Sequence, residues 1–298
     1  MTYHKFEIFL DLAESGSMSE TARRFYISPS SVSQTISSLE QNYHTVLFER
    51  QGKRLTLTSA GQILSSYARQ IVALYQEAEA RLSRSSIRMI RVGSSLSVSS
   101  VFTSPAIFQF RQDPLNTGIE ISLTIDNHNK IIRQLSNYEL DIAVVSLSSY
   151  EQPRLTVYPL FPDPVRLCCS SQHPLASRSR VTFSDLADQN ITLLPPNSSL
   201  RTRFEQCAKK EGVLLRNILT SNNQQSIKDL VLHNQTISPL PSILIRDEVK
   251  NGLLSVLDVD GFSYIKQFAL VHRNDRELSE EEARFVKICL DLAAGKSA

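Results

Sequence analysis

The chain has no uninterrupted apolar run of about 18 residues, the length that reads as a membrane-spanning helix. It also lacks a leader-like stretch, because "MTYHKFEIFLDLAESGS" is broken by Glu7, Asp11 and Glu14, the wrong pattern for a secretory signal. Cysteine is scarce. The four present have no paired spacing, and Cys168 and Cys169 are adjacent, whereas paired zinc ligands need intervening residues. That usage fits a reducing compartment, so a cytoplasmic protein that makes no membrane contact is expected. The six histidines, His4, His44, His128, His173, His233 and His272, show no metal-ligand spacing. There is no G-x-S-x-G elbow, no G-x-G-x-x-G and no Walker loop, which removes the commonest hydrolase and nucleotide-binding readings. The expectation is a protein that is not an enzyme, with no catalytic residue, no metal and no cofactor. Net charge is missing too. It is +2 overall, and in residues 1–58 six basic and six acidic side chains cancel. Any nucleic-acid contact in that segment must therefore depend on where basic and polar groups stand rather than on bulk charge.

What remains is an ordinary globular composition: 298 residues, 41% hydrophobic and 21% charged, enough for about two domains with real cores. Phe6, Phe9, Leu10 and Ala13 fall on one helical face that ends at Ser15-Gly16. Ser17 and Glu20 in "SMSE" form a capping-box pattern opening a second helix through Phe25. The stretch "SPSSVSQTISS", six serines without charge, could pass for a linker. Yet Val32, Ile36 and Leu39 share a helical face, Ser28 is a good N-cap and Pro29 suits the first helical turn. A helix from about Pro29 to Asn42 follows, showing Ser30, Ser33, Gln34, Ser37 and Ser38 outward; an ordinary solvated helix would carry Glu and Lys there. "VLFERQGKRLTLT" reads as two short strands, Leu47-Phe48 and Leu55-Thr56-Leu57, around a turn at Gln51-Gly52, with Arg50, Lys53 and Arg54 at the tip. Three helices and a basic hairpin make a winged helix-turn-helix whose third helix is placed to enter a major groove.

From Ser59 to about Leu82 the apolar positions Ala60, Leu64, Tyr67, Ile71, Leu74 and Ala78 keep an a/d seam, the pattern of a long helix paired with a second copy. Ser83 to Ser86 suit a hinge. Beyond Ile87 strands and helices alternate. "IRVGS" ends at Gly93, Ile119, Ile121, Leu123 and Ile125 alternate, "LDIAVVS" is nearly continuous, and "VRLCCS", "ITLLP" and "TISPLP" follow. A last helix opens on a capping box at Ser279 to Glu282. The class is α/β, doubly wound, and long enough for two lobes.

The run "FLDLAESGSMSETARRFYISPSSVSQTISSLE", then "LFERQGKRLTLTSAGQ", resembles the N-terminal domain of LysR-type transcriptional regulators, and the likeness continues through "YELDIAVVS", "HPLASRSRVTFSDLADQNITLLP" and "PLPSILIRDEV". The resemblance implies a winged helix-turn-helix over 1–58, a linker and dimerisation helix with hinge over 59–86, and a periplasmic-binding-protein-like (type II) effector domain over 87–298. Its lobe I would take about 87–161 plus 266–298 and its lobe II about 162–265, joined by crossing strands. It further implies a homodimer or homotetramer on double-stranded promoter DNA, a small-molecule effector between the lobes, and RNA polymerase as a partner when activating. The chain departs from the family pattern at Pro29-Ser30, where Gln-Pro or Gln-Ser is usual. Gln34 and Thr35 stand at positions often held by arginine or glutamine, and His44, Asn234 and Thr236 stand where glycine is common.

The DNA candidates are thus Pro29, Ser30, Ser33, Gln34, Thr35, Arg50, Lys53 and Arg54. An amide such as Gln34 can pair bidentately with adenine, the hydroxyls add weaker contacts, and the basic trio clamps phosphates or the minor groove. The effector candidates are Ser95, Ser97, Ser146, Ser198, Ser199, Asn222 and Thr236, set where an open α/β fold binds ligands, beyond the carboxyl ends of strands. Helix starts after Ser95 and at Ser198 favour a small carboxylate or other compact anion. Beside the enzyme, a rival from another class is an exported solute-binding protein, opposed by the helix-turn-helix head; the alternative within the same family is a thiol-based redox-sensing regulator. Peroxide-sensing relatives use a cysteine near the loop of Ser199, and Cys207 lies nearby without an evident partner.

Overall fold

The computed structural model describes residues 2–51, 54–82, 88–147, 154–196, 198–233 and 236–295. They form two compact units, Met1–Arg88 with Arg133–Leu140 and Met89–Ile132 with Asp141–Ala298.

In the first unit the order is α1 (Thr2–Ser15), α2 (Met18–Arg24), α3 (Pro29–Tyr43), β1 (Phe48–Gln51), β2 (Arg54–Leu57) and α4 (Ser59–Leu82). α1 buries Phe6, Ile8, Phe9 and Leu12, while Leu10 and Ala13 of the expected stripe are only partly buried. The burial is broader than one stripe because α1 packs against α2, α3 and α4 together. It ends at Gly16, whose φ of 65° closes the helix as its N–H reaches Leu12 O at 2.9 Å. Ser17 caps α2 through Glu20 N at 3.3 Å, but the reciprocal half of the expected capping box is not made. Glu20 instead meets Arg24 at 2.6 Å, and the Ser17 N–H donates to Ser15 Oγ at 3.2 Å. A charged partner one helical turn on is the stronger acceptor's choice.

α3 starts as its sequence demands. Ser28 Oγ accepts from Ser31 N at 3.1 Å, Pro29 takes the first turn, and Val32, Ile36 and Leu39 are buried. It ends at His44 with φ 51°, the left-handed cap expected of a histidine in place of glycine. β1 and β2 pair antiparallel, Phe48 with Leu57 and Gln51 with Arg54. Leu47 precedes the strand, its N–H held by Glu40 Oε1 at 2.8 Å. The turn at Gly52-Lys53 and the hinge at Ser83–Ser86 lie outside the described residues.

The second unit runs β3 (Arg88–Ser95), a π-helical turn at Ser99–Thr103, α5 (Ser104–Gln112), β4 (Ile119–Asp126), α6 (His128–Ser136), β5 (Ile142–Ser146) and β6 (Leu155–Ser170). It continues with β7 (Ile191–Leu193), α7 (Ser199–Lys210), β8 (Asn217–Thr220), α8 (Gln224–Leu232), β9 (Ser238–Pro241) and α9 (Ser242–Lys250). β10 (Leu254–Leu257), β11 (Ile265–Arg273) and α10 (Glu280–Ala294) complete it. The main sheet has the order β10-β6-β11-β5-β3-β4, with β9 also on β6. β6, 16 residues long, pairs with β11 over its first part and with β9 and β10 over its last. One core gathers Val92, Phe102, Phe110, Val144, Phe161, Phe268 and Phe285; another gathers Leu167, Phe183, Ile191, Phe204 and Ile237. β6 feeds both, so this is a two-lobed α/β domain of the type II kind.

The sheet is mixed: β5 is parallel to β3 but antiparallel to β11, which in turn is antiparallel to β6. Crossing strands return directly and need no helical crossover. β3 also runs past Gly93 to Ser95, because Ser94 still pairs in register with Val144. α10 has its full capping box, Ser279 Oγ accepting from Glu282 N at 3.2 Å and Ser279 N donating to Glu282 Oε2 at 2.8 Å. Glu282 binds Arg276 at 2.6 Å, and Arg276 reaches Asp141, which holds Arg91 at 2.7 Å. This chain of charges ties α10 to the sheet.

Candidate functional site

In the first unit, α3 turns its buried aliphatic stripe to the core and leaves Pro29, Ser30, Ser33, Gln34 and Ser37 exposed on the other side. Ser30 Oγ lies 2.7 Å from Ser28 Oγ, at the cap. Thr35 is half-buried and donates its hydroxyl to Ser31 O at 2.9 Å, so only its methyl is left to offer. Ser38 is not on the free face: it accepts from Lys5 Nζ at 2.9 Å and ties α3 to α1. The only charged residue of α3, Glu40, is spent on the Leu47 N–H. Arg50 and Arg54 are exposed on the hairpin, and Lys53 lies outside the described residues. Sequence reasoning passed over Tyr26, which is 96% exposed immediately before α3 with φ 55°.

The seam of α4 divides. Ala60 and Leu64, partly buried, pack against the core of the head beside the buried Ala68 and Val72. Tyr67, Ile71, Leu74 and Ala78 are exposed, joined by Ile63, one turn before Tyr67. The first two seam positions serve the head because α1 and β2 pack against this end of α4.

In the second unit, Ser95 and Ser146 close the neighbouring parallel strands β3 and β5, so the first lobe brings them to one end of its sheet. Ser95 is 4% exposed and, among the described residues, its hydroxyl has no hydrogen-bond partner; Ser97, in the following turn, is buried. Ser95 belongs to the strand rather than to a helix start, and a π-helical turn intervenes before α5. In the second lobe Ser198 is the N-cap residue of α7 without a side-chain cap bond, Ser199 Oγ lies 3.0 Å from Tyr264 Oη, and Asn222 is exposed ahead of α8. Thr236 is buried, donates to Asn190 O at 3.0 Å and accepts from Thr192 Oγ1 at 2.9 Å, so its hydroxyl is engaged within the lobe. Asn234 lies outside the described residues.

The sequence reading passed over three further groups in this unit. Lys266 on β11 pairs directly across from Asp163 on β6. Burial pushes the Lys266 ammonium down to about 8, with Asp163 partly opposing. Burial, then Lys266, holds His128 below the ordinary histidine range, while the Ser146 backbone bonds its ring. Asp163 Oδ1 accepts from Ile243 N at 2.9 Å, the start of α9. A lone lysine entering "FALV" was the available signal. The four cysteines are free and buried. Burial pushes Cys169 up to about 11 and Cys289 to about 12, and Cys168 up as well, which leaves these three thiols little thiolate. Among the described residues no group of three or more His, Cys, Asp and Glu could hold a metal, and no helix is long and apolar enough to cross a membrane.

A helix-turn-helix head with a two-lobed ligand-binding fold defines an effector-responsive, DNA-binding transcriptional regulator. The match to known proteins specifies which. Residues 3–62 match the family "Bacterial regulatory helix-turn-helix protein, lysR family", and residues 83–294 match "LysR substrate binding domain". The chain belongs to the LysR family of transcriptional regulators. It is 30% identical over 252 residues to the uncharacterized regulator YwqM of Bacillus subtilis (strain 168), covering 84% of this chain and 85% of that one. It is 23% identical over 289 residues to CysL of the same organism, 96% of each. Among solved structures, the LysR-family regulator CbnR complexed with its target DNA aligns with a TM-score of 0.66 at 18% identity, covering 98% of this chain and all of that one (100%), a likeness of fold.

Proposed function

We propose that α3 lies in the major groove of promoter DNA with Pro29, Ser30, Ser33 and Gln34 towards the bases. Gln34 reads a base edge, the Thr35 methyl lies beside a thymine, and Arg50, Lys53 and Arg54 hold the backbone or the adjacent minor groove. The observation that carries this is the exposed, uncharged face of α3, opposite a fully buried Val32-Ile36-Leu39 stripe. Residues 1–58 form the reading head, 59–86 the linker and 87–298 the effector domain, with lobe I at about 87–161 plus 266–298 and lobe II at about 162–265. The exposed positions Tyr67, Ile71, Leu74 and Ala78 pair two copies, or two such pairs in a tetramer. An effector held between the lobes resets the heads, RNA polymerase is the partner in activation, and the protein works in the cytoplasm without converting its ligand. A ligand resets the heads only as far as it binds one arrangement better than the other.

Titration of Gln34→Ala against operator variants tests the reading head. The expected result is relaxed preference at one base position by about 1–3 kcal/mol, with other positions unchanged. Equal weakening on every sequence would remove the base-reading role.

A further inference from the structure

We propose that the stacked rings of Tyr3 and Tyr75 form a clasp that sets the angle of the reading head on α4, and with it the half-site spacing the protein accepts on DNA. This rests on the reading of the exposed face of α4 as the surface that pairs two copies. α4 carries two stripes. Gly61, Ser65, Ala68 and Val72 recur every three or four residues and face the head: Ala68 is fully buried, Ser65 and Val72 nearly so, and Gly61 abuts the Leu47 carbonyl. Tyr67, Ile71, Leu74 and Ala78 form the exposed stripe, about a third of a turn further round the same helix. One rod therefore holds the head on one side and offers the other side to a partner. Any pivot of the head on that rod moves α3 relative to the α3 of the second copy.

The clasp lies at the far end of that contact. Tyr75, partly buried and one turn beyond Val72, stacks on Tyr3 with ring centroids 3.9 Å apart and planes 17° from parallel. Its hydroxyl bonds the Glu79 carboxylate one turn on, and the Tyr3 hydroxyl as well. Tyr3 stands in the first turn of α1, and the next residue, His4, meets Phe25 at the end of α2 edge-on at 5.7 Å. The start of α1, whose first N–H groups have no partner within the helix, is thus fastened to α2 on one side and to α4 on the other. From Gly61 to Tyr75 the helix runs about 21 Å, so the head is held at two well-separated points instead of turning about one. Tyrosine rings suit this use, being large, flat and cheap to order. On B-DNA each added base pair moves the second half-site about 3.4 Å along the axis and about 35° around it. A head fixed at both ends tolerates little of that displacement.

Titration of the full chain against duplexes carrying two copies of one half-site, selected by the protein itself from random sequence, tests this as the spacing is changed one base pair at a time. The native protein should bind its best spacing about tenfold or more tighter than one changed by two base pairs, the cost of deforming DNA to fit. Tyr3→Ala and Tyr75→Ala should narrow that ratio several-fold while binding to a duplex with a single half-site stays as in the native chain. Tyr75→Phe, which keeps the ring, should hold the native ratio. Sedimentation checks that each variant keeps the native oligomer. Tyr3 lies on α1, off the exposed stripe, so Tyr3→Ala decides the matter should Tyr75→Ala fail to fold or to pair. A ratio unchanged in Tyr3→Ala, an equal loss on every duplex including the single half-site, or a Tyr75→Phe variant as tolerant as Tyr3→Ala would overturn the clasp. A native chain that sediments as a monomer would remove the pairing reading and the clasp with it, whereas a native dimer indifferent to spacing would overturn the clasp alone.

Discussion

Tyr26 holds φ 55° while its side chain is 96% exposed, so no packing of the ring offsets the backbone conformation. The left-handed region costs a bulky residue about 1–2 kcal/mol, and asparagine tolerates it better. Tyr26→Asn should therefore raise the urea midpoint of the head, by about 1 kcal/mol once converted. If the same variant also binds promoter DNA more weakly, the ring is kept for a contact made only in the complex. A lowered midpoint would show instead that the phenol stabilises the free head. Single residues were also where sequence reasoning had least purchase. Thr236 looks like a free hydroxyl until Thr192 and Asn190 are seen to use it, and Lys266 looks like a strand-end cation until the register sets it against Asp163. Both depend on partners tens of residues away, which spacing does not encode.

α4 is fixed to the head by a close approach that admits no side chain. The first turn sits against Leu47, and a Cβ on Gly61 would fall 2.1 Å from the Leu47 carbonyl oxygen and 2.9 Å from a Leu57 methyl. Backbone on one side and core on the other leave little room to give. Gly61→Ala should destabilise the head by about 1–3 kcal/mol, the usual cost of overpacking, measured by chemical denaturation. Ser28→Ala removes the oxygen that accepts from Ser31 N and should cost about 1 kcal/mol by the same assay. At the exposed end of the same helix, Leu74→Glu should leave the melting of the head unchanged and shift the sedimenting species towards monomer. An unaltered oligomer would place the self-association elsewhere. Elements of this kind were legible because their signals are local: Ser28-Pro29 at a helix start, His44 at its end, Ser279 with Glu282 three residues on. The crossing strands were not, since "VRLCCS" gives no sign that β6 begins at Leu155 and serves two cores in turn.

For the whole molecule, the cost of an ammonium that Asp163 answers only in part should appear in stability as a function of pH. Lys266 is held down to about 8 by burial, against its ordinary value of 10.5. Between those values the unfolded chain binds a proton that the native protein has released, so Lys266 makes stability rise with pH across that window. Below about 8 both states carry the charge and the native state bears the full desolvation cost. The difference between the native chain and Lys266→Met isolates this group from other lysines and tyrosines titrating nearby. The variant should melt higher than the native chain near neutral pH, and the gap should close as pH rises through the window. A pH-independent gap between the two proteins would mean that Lys266 is solvated well enough to titrate normally.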